Sequence, residues 1–259
     1  MRHLLTTVAA VLALVLLATP AMTKEWDMVR IGTEGAYPPF NRVDENGELK
    51  GFDIDIAKAL CKEMGVEYEF VVQDWDGLIP GLLAKKYDCI IASMSMTPER
   101  KKRVDFTDKY YQTPARFVAH EDADFEISKS GLKGKVVGVQ GGTTHENFVT
   151  DKFGDVVDIK PYTTLDGANN DLVIGRVDLA LGDSVAFVEF LDSPQGKNYG
   201  FIGPGFTDEE YFGEGIGIAV RKENPELTQM LNEAIAAIRA DGTYQRINAK
   251  YFDFDIYGD

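Results

Sequence analysis

The stretch VRIGT (29–33), DIDIAKALCKEMG (53–65), YEFVV (68–72), WDGLIPGLLAK (75–85), DCIIA (88–92) decides the fold. Val29 to Thr33 is a short β-branched run that ends at Gly35 and a Pro38-Pro39 turn, which reads as a strand. Ile54, Ile56, Ala57, Leu60, Cys61 and Met64 recur at helical spacing, and Gly65 stops them. Tyr68 to Val72 is a second strand and Asp88 to Ala92 a third. Between them the sequence predicts a helix over Trp75 to Lys85, with Pro80 in its first turn or at a kink. Strands alternating with helices predict a mostly parallel sheet flanked by helices.

The same order returns further along. Lys135 to Val139, Val156 to Tyr162 and Asp178 to Leu181 read as strands. Helices are expected from about His145, over Thr164 to Ile174, and over Ser184 to Leu191. Asn224 to Ala240 reads as a long amphipathic helix, and Thr243 to Tyr251 as a last one. Two α/β units in series predict two lobes. Phe117 to His120 is expected to carry the chain across, and Phe212 to Arg221 to bring it back. The expected division is 22–112 with 215–259 as one lobe and 113–214 as the other. Ligands of open α/β sheets bind beyond the carboxyl ends of strands, so the cleft between the lobes is the expected site.

The first residues read differently. Met1-Arg2-His3 is a basic head, Leu4 to Ala18 is almost purely apolar, and Thr19-Pro20-Ala21 is small-residue punctuation. This is the layout of a cleavable secretory signal peptide over 1–21, with an apolar run shorter than the roughly 20 residues that span a bilayer. Export to the periplasm is the expectation. The formal net charge of −15 argues against nucleic-acid binding, which needs clustered cations. Cys61 and Cys89 are the two cysteines, and export permits a disulfide between them without demonstrating one. No Cys/His spacing resembles a zinc site, and neither metal nor cofactor is expected.

Four segments carry a family resemblance: Arg30 to Phe40 with Gly51 to Asp55, Asp74 to Pro80, Ile91 to Arg100, and the ending Lys250 to Asp259. Together they resemble the family 3 solute-binding proteins, and the ending resembles the lysine/arginine/ornithine- and histidine-binding branch. The resemblance runs through the whole chain after residue 21. It implies the two-lobed periplasmic-binding-protein fold (type II), with a cleft that closes on one amino acid. It also implies a monomer that delivers a basic amino acid, arginine foremost, to an inner-membrane ABC permease, with no bond made or broken. An opine such as octopine or nopaline, a neutral amino acid, and a cyclohexadienyl-dehydratase-like enzyme are the alternatives.

The same resemblance assigns residues. Arg100 matches the arginine that clamps the ligand α-carboxylate, a task that suits a planar guanidinium. Asp183 matches the acid that receives the α-ammonium. Ser93, Ser95 and Thr143 match hydroxyl or backbone partners of the zwitterion, and Gly142-Thr143-Thr144 suits a helix N-terminus that offers free N–H groups to a carboxylate. Tyr37 and Trp75 match aromatics that sandwich the side chain, and cation–π attraction suits them to a cationic head. Glu34 and Asp53 match acids near the distal end of that side chain. Five positions depart from relatives: Glu34 for aspartate, Trp75 for phenylalanine, Ala92 for serine, Gln140 for leucine and His145 for glutamine. Read without the resemblance, Arg100 is one of a basic run with Lys101, Lys102 and Arg103, Asp183 and Asp53 are helix caps, and Trp75 is core.

Overall fold

A computed structural model describes residues 26–258. The expected signal peptide lies outside the described residues. Two five-stranded sheets form the two lobes. In the first, β1 (Met28–Thr33) lies parallel to β5 (Glu67–Val72) on one side and to β6 (Cys89–Ile90) on the other. Next come β13 (Ala219–Val220) and β7 (Asp105–Phe106), both antiparallel to their neighbours. In the second, β10 (Asp158–Tyr162), β9 (Val136–Gln140) and β11 (Leu179–Asp183) are parallel. The antiparallel strands β8 (Ala115–His120) and β12 (Tyr199–Phe206) complete it. Each sheet therefore has three parallel strands on one side and, on the other, two strands that each run antiparallel to the neighbour before it.

The helices bury the faces their spacing foretold. α1 (Phe52–Met64) turns Phe52, Ile56, Ala57, Leu60 and Cys61 inward. It stops at Gly65, whose φ of 68° lets its N–H reach back to Cys61 and Lys62 carbonyls. The segment read as one helix over Trp75 to Lys85 is shorter and broken. A 3₁₀ turn over Trp75–Gly77 leads into α2 (Leu78–Leu83). Pro80 sits in the first turn of α2, where its missing N–H costs nothing. Beyond α3 (Pro98–Lys101), α4 (Thr144–Phe153) and α5 (Leu165–Val173), the helix expected over Ser184 to Leu191 is only α6 (Val188–Asp192). The Asp183 carboxylate accepts from the Val185 N–H at 2.9 Å and holds a turn there instead.

Past the short α7 (Glu209–Phe212), α8 (Pro225–Ala240) packs Leu227, Leu231, Ala234, Ile235 and Ile238 onto the first lobe, and α9 (Thr243–Tyr251) follows. Each such buried leucine or isoleucine contributes about 2 kcal/mol. A small three-stranded sheet, β2 (Ala36–Tyr37), β3 (Asn41–Val43) and β4 (Leu49–Lys50), has no counterpart in the sequence reading. Cys61 and Cys89 are free, buried thiols, and burial pushes Cys61 up to about 12. Among the described residues no helix is long and apolar enough to cross a membrane.

Candidate functional site

Strand ends from both sheets face one another across a cleft, and the side chains there form a charged, enclosed cavity. Glu34 follows β1 directly and is buried. Ala92, Ser93 and Ser95 follow β6, and Gln140 ends β9. Tyr37, Trp75, Arg100, Thr143, Thr144 and His145 complete the lining. Asp183, the last residue of β11, lies in an adjoining cavity that shares Tyr37, Ser93, Ser95 and His145 with the first. Every residue assigned to the site from sequence is thus brought to this cleft or its extension, except one.

The exception is Asp53. Its expected place was the distal end of the ligand side chain. The structure places it wholly buried behind the cavity wall instead. Its carboxylate accepts from Asn41 Nδ2 at 2.9 Å, Ser93 Oγ at 3.0 Å and Tyr110 Oη at 2.7 Å. Bonded to these three donors and lining neither cavity, it offers no surface to a ligand cation there.

Arg100 is held by its own helix. Thr97 caps α3 by accepting from the Arg100 N–H, and the guanidinium donates from Nη1 to the Ser95 carbonyl at 3.0 Å. Its carbon lies 5.1 Å from the centre of the Trp75 ring. No carboxylate among the described residues forms an ion pair with it, and desolvation lowers its pKa to about 10. An unpaired cation in such a place favours an incoming anion. The N-terminus of α4 faces the same point. Thr143 caps it by accepting from the Glu146 N–H, while Glu146 Oε2 takes the Gly142 N–H at 2.7 Å. That leaves the Thr144 and His145 N–H groups without partners inside the helix, as in any first turn. Desolvation and the nearby Arg100 charge hold His145 down at about 3, so it is neutral.

The acids behave oppositely. Burial raises Glu34 to about 7, against the lowering effect of its hydrogen bond with Gln140, and Asp74, Asp76 and Asp166 add to the rise. Burial raises Asp183 to about 6, although Thr113 and the N–H groups of Val185 and Ala186 hydrogen-bond to it. Neither acid forms an ion pair with a protein cation among the described residues. The cavity therefore offers one cation and two carboxyls that burial inclines to hold protons, each lacking a charged partner among the described residues.

Direct bonds join the lobes around it. Gln140 Nε2 donates to Glu34 Oε1 at 2.6 Å and to the Thr163 carbonyl at 3.1 Å. Trp75 Nε1 donates to the Gly142 carbonyl at 3.0 Å. Gly142 has φ +66°, a left-handed backbone that favours glycine, and a Cβ there would stand 2.4 Å from Asp76 Oδ1 in the opposite lobe and displace that side chain. At the rim, Arg42 pairs with Glu189 at 2.8 Å. Tyr37 is fixed by stacking on Phe40, which itself stacks on Tyr111. Thr113, Asn41, Tyr110 and Thr163 escaped the sequence reading because nothing in their local pattern separates them from ordinary turn and core residues.

A family model for bacterial extracellular solute-binding proteins, family 3, matches residues 29–254. The chain belongs to that family. Among its relatives, the L-arginine-binding protein of Pseudomonas aeruginosa is 49% identical over 249 residues, covering 95% of this chain and 96% of the relative. The histidine-binding periplasmic protein of Salmonella typhimurium is 45% identical over 243 residues, covering 93% and 94%. A solved structure described as an ancestral arginine-binding protein bound to arginine superposes with a TM-score of 0.81 at 40% identity, covering 87% of this chain and 98% of that one. The family's two-lobed architecture matches the two sheets and the cleft between them.

Proposed function

We propose that the chain is the periplasmic substrate-binding component of an ABC importer for basic amino acids, arginine foremost. The observation that carries this is the charge pattern of the cleft: the Arg100 guanidinium at one point, and the Asp183 and Glu34 carboxylates at two others, none in an ion pair among the described residues. A dibasic amino acid brings the complement. Its α-carboxylate meets Arg100 and the α4 amides, its α-ammonium meets Asp183, and its side-chain cation meets Glu34 between Tyr37 and Trp75. A neutral side chain would leave the Glu34 charge desolvated and unpaired, which costs several-fold to many-fold in affinity. The relatives' names point to the same ligand class. The proposed lobes are 22–112 with 215–259, and 113–214, closing about the crossings near Gln112 to Pro114 and Asp208 to Gly215. Binding releases the ligand unchanged, and the permease is the proposed partner of the closed form.

The adjoining cavity past Asp183 favours a second reading. Gln112, Thr113, Thr207, Gly213 and Gly215 line it, beside the place assigned to the α-ammonium. A substituent on the α-nitrogen, as in octopine or nopaline, would extend there.

A thermal-shift screen over the twenty amino acids, ornithine, citrulline, octopine and nopaline tests both. A ligand that binds only the folded state, present at 100 times its Kd, adds about 2.7 kcal/mol. For a chain of this size that is a rise in Tm of about 5–10 °C. Arginine is expected to give the largest rise, lysine and ornithine smaller ones, and glutamate none. A larger rise with octopine than with arginine would favour the second reading. No rise with any of them would refute both, and would direct attention to Glu34 as a general acid of a dehydratase.

The two raised carboxyls set a pH dependence. Below about pH 6 to 7 Glu34 and Asp183 hold protons, which a cationic ligand must displace. Arginine affinity is therefore expected to fall as pH drops through 7 and then 6, by about tenfold or more between about pH 8 and pH 5. Calorimetry in two buffers of different ionisation heat should register proton release at about pH 6. Stability without ligand runs the other way. An acid whose folded pKa is raised binds its proton more tightly folded than unfolded, so that contribution is lost as pH rises from about 4 to 7.

A further inference from the structure

We propose that Asp53 is the positioning residue of this cleft, fixing the ligand-facing groups without touching the ligand; the inference rests on the arginine-binding reading above. Three observations converge on its one carboxylate.

First, it governs the Glu34 arm. Asn41 Nδ2 donates to Asp53 at 2.9 Å, and Asn41 Oδ1 accepts from the Gly35 N–H at 2.8 Å. Gly35 is the residue after Glu34, and it stands at φ +75°, where the chain turns out of β1. The direction of the Glu34 side chain is thus set by a two-bond relay from Asp53.

Second, it governs the serine wall. Ser93 Oγ donates to the same oxygen, Oδ2, at 3.0 Å. Ser93 has φ +54°, a left-handed backbone that costs a residue other than glycine roughly 1 kcal/mol or more and persists only where its surroundings enforce it. Asp53 is the group that enforces it.

Third, it reaches the crossing between lobes. Tyr110 Oη donates to Oδ1 at 2.7 Å. Tyr110 lies just before the first crossing, its N–H bonded to the Ile216 carbonyl of the returning chain at 2.9 Å and its carbonyl taken by Tyr244 Oη at 2.7 Å.

A carboxylate is needed because it only accepts. Three side-chain donors converge on two oxygens, and an amide would turn its own N–H groups toward at least one of them. No cation among the described residues pairs with Asp53, and an unpaired buried charge is a poor device for stability. It is a good device for holding three donors in one geometry.

The test is calorimetric titration of L-arginine into the wild type, Asp53→Asn, Glu34→Gln and the double variant, each stripped of ligand. Asp53→Asn alone is expected to weaken binding about tenfold. The same change made on Glu34→Gln is expected to cost only about threefold, because the arm then carries no charge to place and only the serine wall and the crossing are left to disturb. A tenfold loss in both backgrounds, or none in either, would overturn the proposal, since a general loss of structure does not depend on the charge at position 34. Asn41→Ala breaks only the Glu34 relay and should show the same non-additivity, and it serves if Asp53→Asn does not fold. A wild type that gives no heat with arginine would instead sink the binding reading itself, a result separable from any that concerns Asp53.

Discussion

Arg100→Ala is expected to abolish measurable arginine binding, with Kd rising by at least about 1000-fold. Losing one partner of a buried, hydrogen-bonded charge pair costs about 3–5 kcal/mol, and every 1.4 kcal/mol is tenfold. Here the loss belongs at the upper end. Arg100 is the cation that faces the cavity, and its desolvation is present before the ligand arrives, as its lowered pKa of about 10 reflects. Without it the ligand carboxylate would retain only the amides at the start of α4, while Asp183 and Glu34 would still supply two negative charges. Arg100→Lys should fall between, because a point charge keeps the attraction but loses the two-pronged geometry. Titration calorimetry on ligand-stripped protein measures both. The stability of the ligand-free variant should be unchanged or higher, since an unpaired buried cation is unfavourable to folding. A Kd for Arg100→Ala within tenfold of the wild type would remove this residue from the site.

Glu34→Gln is expected to have the second largest effect, and a selective one. Arginine affinity should fall about 100-fold, the scale for unpairing one desolvated charge. Citrulline, whose side chain has nearly the shape of arginine without its charge, should change by less than about threefold. Glu34 is suited to this role because it is buried, held by Gln140 from the opposite lobe at 2.6 Å, and surrounded by Asp74, Asp76 and Asp166 rather than by cations. Those neighbours deepen the negative potential that a cationic side chain would enter. The pH dependence of arginine binding should also flatten in the variant, since the group titrating near 7 is gone. Equal losses for arginine and citrulline would mean that Glu34 shapes the cleft without reading charge.

Much of the fold was legible because it depends on local chemistry. The apolar spacing of α1 and its stop at Gly65 are properties of the chain itself, and so are the apolar face of α8 and the bounds of α9. Where a side chain competed with the backbone the reading failed. Asp183 draws the Val185 N–H into a turn and postpones α6, and no periodicity announces that. The small β2–β4 sheet escaped for a similar reason, because its strands are two or three residues long and are defined by their partners.

The site divides along the same line. The sequence by itself determined which groups gather at the strand ends, because in an α/β fold the residues after parallel strands must share one edge. The caps that aim them, Thr97 for α3 and Thr143 for α4, are local as well, since a cap depends on a neighbour three residues away, although the sequence reading did not pick them out. Only the tertiary structure decided what each carboxylate does. Glu34 follows a strand and Asp53 opens a helix, and from sequence both could face a ligand. Packing left Glu34 in the cavity wall with one neutral partner and enclosed Asp53 among three donors from distant parts of the chain. Burial and hydrogen-bond partners set the charge, pKa and direction of an acid, and those partners lie far away in sequence: Asn41, Ser93 and Tyr110 for one, Gln140 for the other.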